Sequence, residues 1–157
     1  MAETRERMAR SPRVRSADPA GVPWPAAQEQ DVVLVDTTWG ELQPLQCAPG
    51  VVTVGELELT ELVANGAVLV DTRVPDSRKG RSIPGAVNLP HGRITELRDR
   101  LDPSRVSILF CNGPQCPQSP MAIRELLEAG YPASSLAYYR GGLHDWVTLA
   151  MPLEQVD

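Results

Sequence analysis

The chain has 157 residues, enough for one domain of ordinary size and a tail. Its net charge is −5 and Lys79 is its single lysine, so no nucleic-acid surface is expected, and no apolar run approaches the length of a membrane span. Arginines near the start are not followed by an apolar stretch, so a secretory signal is not expected. Three cysteines, an odd number, do not make a disulfide framework, which favours a reducing, cytoplasmic setting.

Residues 1–30 read as a disordered arm. Arg5, Arg7, Arg10, Arg13 and Arg15 crowd its start, Pro19, Pro23 and Pro25 punctuate its end, and no apolar periodicity seeds a buried face. Trp24, between two prolines, is placed to pin the arm to the domain. Residues 31–50 form an N-terminal extension, with a candidate strand over 32–35 and a Cys47 that carries no obvious chemistry. Val33-Leu34-Val35-Asp36-Thr37 recurs as residues 68–72, an echo too short to establish a repeat.

The pattern becomes regular over a domain assigned to 51–157. Residues 51–54 suit an edge strand, and Leu59, Leu62 and Val63 stripe a short helix closed by Asn65-Gly66. An apolar strand over 68–71, a polar loop over 74–82 and a short strand over 86–89 follow. Ile94, Leu97 and Leu101 predict an amphipathic helix. Residues 106–110 predict a buried strand, 136–139 the next, and Leu143, Trp146 and Val147 a last helix. Alternating strands and helices imply an α/β fold, with a mostly parallel sheet covered by helices on both faces.

The central unit runs from Val106 to Tyr131. An apolar strand ends at Cys111, a turn-rich stretch (Asn112, Gly113, Pro114) follows, and a helix starts with Ser119 as N-cap and Pro120 at its first position. Ile123, Leu126 and Leu127 give its apolar face, and Gly130 and Pro132 end it. In an open α/β sheet, ligands bind at the carboxyl ends of the strands. A thiol held there, facing a helix N-terminus, is expected to be pushed toward thiolate, the nucleophilic form. A free cysteine is more often a small buried hydrophobe. The setting beside a bend at the mouth of a pocket favours function for Cys111.

Four stretches in order carry a family resemblance. Residues 68–73 end in Asp71-Thr72-Arg73, residues 83–86 read Ile-Pro-Gly-Ala, Cys111 heads a loop between strand and helix, and Gly141-Gly142 precede Trp146. Together, over about residues 51–153, the chain resembles a single-domain rhodanese, a sulfurtransferase-fold protein. The resemblance implies that Cys111 is the nucleophile, that Asn112, Gly113, Pro114, Gln115 and Cys116 form the substrate-binding loop, and that Asp71 and Trp146 are structural. The loop resembles a branch carrying Cys-x-Gly-x-x-Cys: Cys116 stands where Arg, Ser or Thr often ends it, and Pro117 and Gln118 lengthen the approach to the helix. Ser82 occupies the place of the family's His in a segment one residue longer, so no role is carried to Arg81.

Cys116 has three readings. It packs at the start of the helix, it joins a metal site, or it is a resolving thiol that pairs with Cys111 if their Cα atoms lie within about 7 Å. The metal reading is weak, because zinc wants four donors and only Cys47, His91 and His144 remain, without recognisable spacing; no metal or other cofactor is expected. Arg73 and Arg140 directly follow predicted strands, sharing an edge with Cys111, and are candidates to bind an anionic substrate or else surface or structural groups; the resemblance implies a scaffold role at the place of Arg73. His144, on the predicted last helix, is not expected to serve as a general base.

The expected chemistry is transfer of a sulfane sulfur, from a donor such as thiosulfate, through a persulfide on Cys111. The acceptor would be a small thiophile or a protein thiol, with neither nucleic acid nor membrane as partner. One alternative is a non-catalytic or redox-sensing module using the Cys111/Cys116 pair. A phosphatase or arsenate reductase is a weaker one, since Cys116 fills the place of the Arg such loops need.

Overall fold

A computed structural model describes residues 42–157, together with Trp24–Pro25 and Val33–Leu34, which pair antiparallel. Apart from those four residues, the arm expected over 1–30 and the extension up to residue 41 lie outside the described residues.

Five parallel strands form the central sheet: β1 (Val52–Val54), β2 (Val68–Asp71), β3 (Val87–Asn88), β4 (Ser107–Phe110) and β5 (Leu136–Tyr139), in the order β1-β5-β4-β2-β3. Parallel neighbours need crossover connections, and two helices lie in them, α1 (Glu56–Ala64) between β1 and β2 and α2 (Gln118–Glu128) between β4 and β5, while α3 (Gly142–Thr148) follows β5. The pleat sorts side chains between two cores. Val70, Leu109, Leu136 and Tyr138 pack with Ala122, Ile123 and Leu126 of α2. Leu69, Ile108, Phe110, Ala137 and Tyr139 pack with Leu59 of α1 and with Leu143, Trp146 and Val147 of α3. Each fully buried aliphatic or aromatic side chain contributes about 1.5–3 kcal/mol, which is why the central strands are apolar on both faces.

Helix ends follow the glycines. Gly66 (φ 99°) and Gly130 (φ 92°) take the left-handed conformation after α1 and α2. Ala67 N donates to Leu62 O, and Tyr131 N to Leu126 O, closing each helix in a Schellman motif. Two expectations are corrected. Ser119 is not the N-cap of α2, since the helix begins at Gln118 with Pro117 at the cap; Ser119 is buried inside the first turn, its hydroxyl 2.8 Å from that of Thr72. The apolar spacing at Ile94, Leu97 and Leu101 does not build an amphipathic helix. It builds two short 3-10 turns, His91–Arg93 and Arg98–Arg100, because Gly92 and the Pro103 stop leave too short a span to propagate an α-helix. Ile94 and Leu101 still reach the core. Within the predicted polar loop, Pro75–Arg78 forms another such turn, and Arg81–Ser82 pairs antiparallel with Glu154–Gln155.

Candidate active site

Cys111 is the first residue beyond β4, at the carboxyl edge of the sheet. The loop that follows is fixed mostly through its carbonyl groups. Leu143 N and His144 N, in the first turn of α3, donate to Cys111 O (3.0 Å) and Asn112 O (2.8 Å), and Cys116 N donates to Gly113 O (3.0 Å). Gln43 N reaches across from the segment before β1 to donate to Pro114 O at 2.8 Å. Gly142 permits this close approach. It has φ 59°, and a Cβ there would overlap the Cys111 carbonyl and the Gly113 backbone. The helix N-terminus of α3 is therefore used on the loop's own carbonyls, while α2 faces the thiol.

The thiol departs from expectation. Cys111 is 1% exposed and Cys116 3%, so the candidate nucleophile lies inside the loop and not at an open pocket mouth. Burial pushes the Cys111 thiol well up, and the adjacent Cys116 adds to the rise; the hydroxyl and backbone N–H of Ser119 work the other way. Desolvation outweighs the helix N-terminus, which corrects the expectation of a thiol pushed toward thiolate. The Cys111 thiol points at the Cys116 carbonyl, with sulfur and oxygen 3.5 Å apart.

The sequence-predicted arginines share the sheet edge but differ in state. Arg73 is wholly buried: its Nε and Nη2 donate to the two Asp71 carboxylate oxygens (2.9 and 2.7 Å), Nη2 also to Arg81 O (2.7 Å), and Nη1 to Asn112 Oδ1 (3.4 Å). It holds the loop through Asn112, and its side chain is closed off from solvent, as suits a scaffold group. Asp71 also accepts from the Ser82 hydroxyl at 2.8 Å. Arg140 is half-buried after β5, and its Nε donates to Gln43 O at 2.9 Å. Gln43 thus bridges the loop at Pro114 and the arginine at the rim. Asn112, Gly113 and Gln115 are buried, and Pro114 is the half-buried apex. Trp146 is core, with its indole N–H donating to Pro152 O at 2.6 Å and its ring edge-on to Tyr139. Among the described residues no three His, Cys, Asp or Glu side chains gather to hold a metal.

Sequence reasoning missed Gln43, which has no motif to mark it, and Ser119 as a neighbour of the reactive sulfur. It also missed Tyr138, whose strand position shares the parity of Cys111.

The family model for the rhodanese-like domain matches residues 57–149. The chain belongs to the rhodanese-like family. It is 32% identical over 95 residues to the HTH-type transcriptional regulator Rv0324 of Mycobacterium tuberculosis, an alignment covering 59% of this chain and 39% of that protein. The chain thus spans well under half of the curated relative. Among solved structures, a full-length protein from Lactobacillus plantarum matches with a TM-score of 0.59 at 20% identity, over 67% of this chain and 88% of that one. A thiosulfate sulfurtransferase from Pseudomonas aeruginosa matches with a TM-score of 0.57 at 25% identity, over 68% of this chain and 21% of that one. The rhodanese-like fold accounts for the five parallel strands and for the placement of Cys111 between strand and helix.

Proposed function

We propose that this rhodanese-like domain is a sulfurtransferase that carries a sulfane sulfur on Cys111. The observation that supports it is the position of Cys111 at the end of the central strand, with the Ser119 hydroxyl and N–H in the first turn of α2 acting on its sulfur. The Cys111 thiolate attacks the outer sulfur of the donor. The donor's sulfur–sulfur bond breaks, its electron pair leaves with the departing group (sulfite, if the donor is thiosulfate), and a cysteine persulfide remains. A thiophilic acceptor, a small molecule or a protein thiol, takes the outer sulfur and returns Cys111 as thiolate. Burial raises the thiol, so loading is faster at alkaline pH.

The test is persulfide trapping on the purified protein, with and without thiosulfate, beside Cys111→Ser. The expected outcome is one added sulfur on the wild type and none on the variant, whose alcohol is neither ionised nor sulfur-philic. Wild-type transfer retained by Cys111→Ser would show the nucleophile to be another group.

A second reading is favoured by one observation, two adjacent buried thiols on a single loop. The pair would act as a thiol or sulfide sensor, a role consistent with a relative described as a transcriptional regulator. A Cys111–Cys116 disulfide that forms reversibly, in protein that transfers no sulfur, would select it.

A further inference from the structure

Among the buried polar groups that the proposed chemistry leaves unused, the Tyr138 hydroxyl lies nearest in register to Cys111. In the parallel ladder Leu109 of β4 lies opposite Tyr138 of β5, and both side chains belong to the core under α2. Continuing the pleat, Cys111 projects to that same face two residues on, as the diagonal neighbour of Tyr138. Two residues along at about 3.3 Å each and one strand over at about 4.8 Å put the two Cα atoms roughly 8 Å apart, a gap that an aromatic side chain spans.

Tyr138 is fully buried, and its hydroxyl finds no hydrogen-bond partner among the described residues. The adjacent Tyr139 shows what a satisfied hydroxyl looks like here: it donates to Glu56 Oε1 at 2.7 Å. A phenylalanine would fill the same space at Tyr138 without an unpaired polar atom, so the hydroxyl needs an account. The charged and titratable groups around it are thiols and one arginine. Burial raises the phenol, and negative charge at Cys111, then Cys47, raises it further; Arg140 opposes this, and Cys116 adds to it. Burial thus favours the protonated phenol, which is available as a donor.

We propose that the Tyr138 hydroxyl donates a hydrogen bond to the anionic sulfur at Cys111, the thiolate before transfer and the persulfide anion after it. In the resting site the sulfur is a protonated thiol that points to the Cys116 carbonyl, which leaves the phenol without an anion to serve. Ionisation supplies that partner. The hydroxyl then adds to the donors of Ser119, against the burial of Cys111 and the charge of Cys116. The persulfide half of this assignment rests on the sulfurtransferase reading; the thiolate half does not.

The experiment uses the full chain and Tyr138→Phe. The alkylation rate of Cys111 is followed against pH by peptide mass, which separates it from Cys47 and Cys116. The expected result is a midpoint raised by about one pH unit, a loss of about tenfold in thiolate at a given pH. The thermal midpoint should be unchanged or higher, since an unpaired hydroxyl is gone. In parallel, sulfur loading from thiosulfate should slow by about the same factor. As a check that does not depend on the stability of that variant, 3-fluorotyrosine placed at position 138, a stronger donor of nearly the same size, should lower the midpoint. An alkylation profile unmoved in either protein overturns the assignment. A wild type that takes up no sulfur, with alkylation shifted as expected, removes the sulfurtransferase reading and leaves Tyr138 in place.

Discussion

Cys111 is held between opposed influences, and the balance sets when it can react. Its burial and the neighbouring Cys116 favour the neutral thiol, while Ser119 favours the anion. The loop also sets a second thiol, Cys116, beside Cys111, which under the proposed chemistry can act as a resolving group. Once Cys111 carries an outer sulfur, the Cys116 thiolate can attack the inner sulfur, forming a Cys111–Cys116 bond and expelling hydrosulfide. A small-molecule thiol then reduces the disulfide. Cys116→Ser should convert a short-lived persulfide into a stable one and remove the need for reductant between turnovers. Intact-mass measurement after thiosulfate loading decides this. A stable added sulfur on the wild type, identical in the variant, would leave Cys116 as packing alone.

Among the elements, the first turn of α3 controls the loop more directly than any side chain on it. Gly142→Ala should be costly on two counts, a non-glycine residue at φ 59° and a Cβ driven into the Cys111 and Gly113 backbone. A loss of about 2–4 kcal/mol is expected in denaturant unfolding, with faster alkylation of Cys111 as the loop loosens. Gly130→Ala is the comparison. It shares the positive φ but meets nothing within 4 Å, so about 1 kcal/mol is expected. Equal losses at the two positions would show that the loop yields freely to α3. The Gly-Gly of the C-terminal motif was visible in the sequence, but its reason was not, because a clash between residues 142 and 111 exists only once β4 and β5 are paired. The strand pattern was legible for the same reason that Cys111 was: apolar runs with sharp ends need only local information. Arg73 was ambiguous because a charge after a strand reads alike whether it faces solvent or a buried Asp71. Gln43 was invisible because it acts through its backbone, on which residue type leaves no mark.

For the whole molecule, burial has a consequence at high pH. Cys111, Cys47, Tyr138 and Tyr139 are all raised, chiefly by burial. The folded chain therefore retains protons that the unfolded chain releases. This contribution to stability is fully present below the ordinary thiol range and is lost as pH rises through the folded values, by about 1.4 kcal/mol per pH unit for each group in that window. The urea midpoint should be level from pH 7 to 8 and fall between pH 9 and 11. A midpoint constant across that range would show that these groups reach water in the folded state.

The order of the sheet also bears on how the chain comes to be folded. Among the described residues β1, early in the domain, pairs with β5, and the carbonyls of Cys111 and Asn112 accept from amides of α3. A chain emerging from synthesis N-terminus first thus has β1 unpaired and both loop thiols unshielded until β5 and α3 have been made. The interval in which these sulfurs meet the surrounding oxidants is set by the time taken to make and dock β5 and α3.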